Sequence, residues 1–186
     1  MMKQQLQQIL NPILDQVVQG DRPVAGVVAG VTNQEETIYL NHAGERDIST
    51  HTAMTDDSVF AIFSTTKAIT TTIALQQYEK GLLDLDAPAK EYVPEISDLQ
   101  VLHGFDAQGK PILQQPKTDV TTRMLLLHTA GMGYDSSNHD YQKLTSEHGY
   151  PSIITSSKAS LQTPFLFEPG TQWEYGSNID LSLIHI

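Results

Sequence analysis

Phe60-Ala61-Ile62-Phe63-Ser64-Thr65-Thr66-Lys67-Ala68-Ile69 is the stretch on which the fold turns. It sets a serine three residues before a lysine, at the mouth of an apolar run with helical period. Positions i and i+3 of a helix share a face, so the side chains of Ser64 and Lys67 can meet. The predicted helix puts Ser64 near its N-terminus, where the backbone dipole favours developing negative charge. A hydroxyl next to an amine that can be held neutral is a nucleophile with its own base. By itself the pair also fits a buried serine beside a solvated lysine, so the segments around it have to decide.

The helix that begins there is predicted to run to about Lys80. Ala68, Ile69, Thr72, Ile73 and Leu75 make it apolar on most faces, which predicts a central, buried helix. Gly81 is placed to end it as a C′ residue. Asp86 and Pro88 then open a short element within Lys80-Gly81-Leu82-Leu83-Asp84-Leu85-Asp86-Ala87-Pro88. Further on, Leu125-Leu126-Leu127-His128-Thr129-Ala130-Gly131-Met132 follows Thr121, a good N-cap, and predicts a helix over 121–130. Last comes Glu168-Pro169-Gly170-Thr171-Gln172-Trp173-Glu174-Tyr175-Gly176-Ser177-Asn178-Ile179-Asp180.

In this order these segments resemble the class C β-lactamase-like family: β-lactamases, D-Ala-D-Ala peptidases, family VIII carboxylesterases and related acyltransferases. Ser-x-x-Lys is a signature of penicillin-recognising serine hydrolases. The resemblance runs from about residue 20 to 180. The linker Leu102 to Pro111, Gly131-Met132-Gly133-Tyr134 and Tyr175 to Asp180 resemble the esterase and acyltransferase branch. The β-lactamase motif is Tyr-x-Asn, whereas Asn178 stands one residue later relative to Tyr175.

The resemblance implies an α+β fold of the α/β sandwich type, β-lactamase/transpeptidase-like. An antiparallel sheet is flanked by helices and accompanied by a helical subdomain. It implies a serine hydrolase of small carboxylic esters, or of amides, working through an acyl-serine without a cofactor or metal. A β-lactamase, a D-Ala-D-Ala carboxypeptidase and an inactive homologue are the alternatives. Ser64, Lys67 and Tyr175 are the implied catalytic residues. Ser64 attacks a carbonyl. Lys67, expected to be deprotonated by burial and neighbouring positive potential, takes or relays the proton. Tyr175 is the second proton carrier. The Ser64 backbone N–H and one from a late strand would form the oxyanion hole.

The family's third motif, Lys-Thr-Gly or His-x-Gly, lies on that late strand. Lys117-Thr118-Asp119 lacks the glycine and precedes Tyr175, and nothing similar follows it. The resemblance therefore implies that residues 1–180 are an N-terminal portion, incomplete at its C-terminus and inactive alone. Within it, about 1–85 would hold sheet strands and the Ser64 helix, and about 86–180 a mainly helical subdomain. Leu181 to Ile186 are expected to be a non-native tail. The hexapeptide matches a translation of the end of a common transposase sequencing adapter.

Composition narrows the partners. With 39% hydrophobic residues the 186-residue chain can bury a sizeable core. A net charge of −11 argues against nucleic acid and anionic membranes. With no cysteine there is no disulfide and no thiolate metal site. No apolar run reaches the ~20 residues of a membrane span. The amphipathic N-terminus is not a signal peptide, so a cytoplasmic location is expected. His139 and His148 read as solvated loop histidines, and His128 as a structural residue in the last turn of its helix, where a cation suits the dipole.

Elsewhere, the first helix either kinks at Pro12 or, as its better-formed part favours, starts there with Asn11 as N-cap and Pro12 at N1. Ala25–Thr32 and Glu36–Asn41 read as a hairpin, 44–59 as loop, 101–116 as a second hairpin, and 135–160 as a mobile loop with short helices over the site.

Overall fold

Leu6, Leu10, Leu14 and Val18 recur every four residues along the first helix, α1 (Met2–Gln19), and form its less exposed stripe. The computed structural model describes residues 2–182. α1 continues through Pro12, contrary to a start at Asn11. The reason is tertiary. Asn11 Oδ1 accepts from Tyr39 Oη at 2.9 Å and from Asn41 Nδ2 at 2.8 Å, so its side chain is spent on the sheet and not on a cap.

That sheet is antiparallel, in the order β1 (Gly26–Thr32), β2 (Thr37–Asp47), β3 (Thr52–Ala53). Val28 faces His42 and Gly30 faces Leu40 across the first pair. Asn33 Oδ1 closes the turn by accepting from the Glu35 and Glu36 N–H groups at 2.8 Å. β2 extends to Asp47 and β3 pairs back on it, where the sequence suggested only loop. Its exposed charges, Arg46 and Asp47, concealed a strand whose stability comes from pairing on both sides. These elements belong to one compact unit, residues 1–61.

The second unit spans 62–186. α2 (Thr66–Glu79) ends as expected, with Gly81 at φ 70 and Leu82 N–H bonded to Gln77 O at 3.0 Å. It is not the buried helix expected. Only Thr70 and Ala74, one turn apart, are buried, and Ile69, Leu75 and Tyr78 are half exposed. Within its own unit α2 packs on α5 (Asn178–Ser182) along that single Thr70–Ala74 face.

β4 (Val101–Phe105) and β5 (Pro111–Gln114) form the second hairpin, its turn held by Asp106 Oδ1. Phe165 is fully enclosed, and its backbone bonds Gln100 O and Leu102 N–H at 2.8 Å. Around it lie Val93, Val101, Leu125, Ala130 and Met132. Burial of each large side chain contributes about 1.5–3 kcal/mol. α3 (Thr122–Leu126) starts with the Thr121 Oγ1 cap and ends four residues before the predicted end. His128 takes φ 58, and its carbonyl accepts from Glu174 N–H at 3.0 Å. A long-range bond thus replaces the next helical one. α4 (His139–His148) is a regular helix, capped by Asn138 and ended by Gly149, inside the segment read as a loop with short helices. Tyr141 and Leu144 anchor it against Leu102. Of the residues expected to form a non-native tail, Leu181 is buried in α5, and residues 183–186 lie outside the described residues.

Candidate active site

Ser64 sits in a single tight helical turn, Phe63–Thr65, that leads into α2. Phe63 holds φ 43, a left-handed conformation unusual for a bulky residue. That turn sets Ser64 at the exposed mouth of the helix, lining a cleft of about 750 Å³. Lys67, one turn further in, lines the same cleft with Tyr134 and Asp180. The Lys67 side chain is only 14% exposed.

Asp180, from the first turn of α5, meets Lys67. Both carboxylate oxygens stand 3.3 Å from Nζ. Oδ2 is buried and takes no hydrogen bond. The Tyr134 hydroxyl accepts a hydrogen bond from the Lys67 ammonium. Burial pulls the Lys67 pKa down, but the Tyr134 bond and the Asp180 charge outweigh it and leave it raised. This corrects the expectation of a deprotonated lysine under positive potential. The neighbouring potential is negative, and the resting lysine is an ammonium ion. Burial above all raises the Tyr134 pKa, so that phenol stays protonated.

Tyr175 comes from the loop before α5. Its ring centroid lies 5.8 Å from Lys67 Nζ and 5.7 Å edge-on from the Tyr134 ring. The structure thus brings Lys67 beside both Ser64 and Tyr175. Gly176, next in line, passes so close to Met132 O and Gly133 Cα that any Cβ would overlap them. This backbone approach joins the loops that carry Tyr134 and Tyr175.

His128 backs this arrangement. Its ring is tilted against Tyr175, with centroids 4.6 Å apart. Nδ1 accepts from Gly176 N–H at 3.3 Å, with Asn178 Nδ2 at 3.2 Å. Burial, then the Lys67 charge, lowers its pKa. It is therefore structural, but as a neutral acceptor beyond the helix and not as a cation within it. Asn178 is wholly enclosed: Nδ2 lies 2.8 Å from Met132 O, and Oδ1 accepts from Met132 N–H at 3.3 Å. It stitches backbone together behind the cleft.

Asp180 and Tyr134 stand in motifs quoted from the sequence, yet nothing there assigned them a role. One signal was available for Asp180: a carboxylate between the apolar Ile179 and Leu181 needs a cationic partner if that segment is buried. Tyr134 carried none. Among the described residues, no group of three or more histidine or carboxylate side chains could hold a metal ion. No described helix is long and apolar enough to cross a membrane.

The family model described as Beta-lactamase matches residues 10–183. The chain belongs to the beta-lactamase family. Its relatives within it include acyltransferases and esterases. The ML-236A carboxylate methylbutanoyltransferase of Penicillium citrinum is 38% identical over 67% of this chain and 30% of its own length. The lovastatin esterase of Penicillium rubens is 32% identical over 83% and 40% respectively. Among solved structures, unliganded simvastatin synthase (LovD) from Aspergillus terreus superposes with a TM-score of 0.77 at 27% identity, over 94% of this chain and 46% of that one. The chain therefore spans less than half the length of each of these relatives. The neighbours share the β-lactamase/transpeptidase-like fold, and the helices and antiparallel sheets described above form part of it.

Proposed function

We propose that the protein hydrolyses or transfers the acyl group of small carboxylic esters through an acyl-Ser64 intermediate. The observation that carries this reading is the cleft in which Ser64 and Lys67 stand one helical turn apart, with the Asp180 side chain on the lysine. Its wall is partly apolar, from Phe63, Ile153 and Leu161, which suits an acyl chain. Ser64 Oγ attacks the ester carbonyl as its proton passes to the neutral form of Lys67. The C–O bond to the alcohol then breaks, and Tyr175 relays the proton to the leaving alkoxide. Water, or a second alcohol, attacks the acyl-serine and releases acid or new ester. The relatives named as a methylbutanoyltransferase and a lovastatin esterase support this choice of acyl chemistry. Residues 1–180 are read as an N-terminal portion of the hydrolase domain, and the small-molecule ester as its partner.

Intact-protein mass spectrometry of the full-length protein with a fluorophosphonate should give one adduct, lost in Ser64→Ala. Turnover of p-nitrophenyl butyrate should exceed that of nitrocefin in kcat/KM. An adduct that persists in the mutant defeats the Ser64 assignment, and comparable kcat/KM values defeat the ester preference.

A further inference from the structure

We propose that Asp180 is the positioning residue that keeps Lys67 an ammonium ion at rest, and so sets the pH at which Ser64 becomes reactive. The inference rests on the Ser64–Lys67 reading above. Its own basis is geometric. The carboxylate reaches the amine from 113 positions away, at 3.3 Å, in a cleft where the lysine is largely shielded. A carboxylate beside a largely shielded amine favours its charged form.

Among the described residues that line the cleft, Asp180 is the one carboxylate, and Tyr134 assists it only as a neutral acceptor. Ser64 precedes it on the same helix. Tyr134 and Tyr175 come from two loops, and Tyr134 is held protonated. His128 is held neutral behind Tyr175. Lys158, the other cation on the cleft wall, pairs with Glu95 at 3.1 Å. Among the described residues, Asp180 is thus the negative charge against the amine. Its buried Oδ2 makes no hydrogen bond, so nothing but the ammonium compensates that atom. For Ser64 to lose its proton to Lys67, the ammonium must first release its own proton to solvent. The easier that release, the lower the pH at which acylation proceeds.

The test is the pH profile of fluorophosphonate labelling of Ser64 in the full-length protein, together with NMR titration of the Lys67 amine assigned by Lys67→Ala. Asp180→Asn should move the acid limb of labelling and the amine midpoint down together by about one pH unit or more. Asp180→Glu, which keeps the charge, should restore both toward wild type. A loss uniform across pH, with both midpoints unmoved in Asp180→Asn, overturns the proposal. Should that variant not fold, the wild-type limb decides. A midpoint at or below about pH 8, the range of a lysine base depressed by burial, overturns it, and a higher one supports it. Labelling without ester turnover leaves this inference standing and defeats only the ester reading. No labelling at any pH defeats both.

Discussion

Asn178 Nδ2 stands 3.2 Å from His128 Nδ1, and both side chains are enclosed. The same Nδ1 accepts from Gly176 N–H, so in the neutral ring the proton sits on Nε2. Through Met132 the asparagine also grips the strand of backbone that leads to Tyr134. Fifty residues of chain are thus closed behind the cleft by one amide and one imidazole.

Removing that amide should cost stability first. Asn178→Ala leaves Met132 O and Met132 N–H without the amide and takes one of two partners from the imidazole, at about 2–4 kcal/mol. Urea unfolding of the full-length protein should show a lower midpoint at unchanged slope. An unaltered midpoint would show that water replaces these bonds freely.

His128 should make stability fall in acid. Its folded pKa lies below its value of 6.5 in an open chain, so the unfolded state binds the proton more readily. The stability it contributes is present above about pH 6.5 and is lost as pH falls toward the folded value. His128→Asn keeps an acceptor and tolerates the left-handed φ, and it should flatten this part of the profile. His128→Val should be poorer at every pH. Thermal midpoints between pH 5 and 8 measure both.

Lys67 and Tyr175 should behave as one unit. Lys67→Ala and Tyr175→Phe are each expected to lower kcat by about 10² or more, and the double mutant little beyond the worse single. Tyr134→Phe removes an acceptor of the Lys67 ammonium and should cost less than either. Multiplicative losses in kcat would assign Lys67 and Tyr175 to separate steps.

The turn before Ser64 stores strain that substitution can expose. Phe63 is 83% exposed, so its side chain contributes little burial. Phe63→Val should therefore cost about 1–2 kcal/mol more than Phe63→Gly, since glycine accepts φ 43 and a β-branched residue does not. Equal melting temperatures would mean the turn relaxes instead.

The elements legible in the chain were those governed by neighbours. Thr121 caps its helix, Gly81 stops another, and Asp106 closes its turn, because each acts on backbone within a few residues. The misreadings share one cause. Asn11 and Pro12 read locally as a helix start, yet Asn11 is claimed by Tyr39 and Asn41 on a strand. The helix at 121–130 stops early because Glu174 takes the carbonyl of His128.

By itself the sequence determined that a serine and a lysine would stand one turn apart at a helix mouth. Helical geometry fixes the positions i and i+3 without help from the rest of the chain. Only the tertiary structure decided the charge on that lysine. Its proton is held by Asp180 and Tyr134, which lie on separate segments and meet it only when α5 packs on α2. Local periodicity cannot say which sign of charge arrives from more than a hundred residues away. Burial without a partner would have pulled the amine toward neutrality, and the carboxylate that packing delivers reverses that.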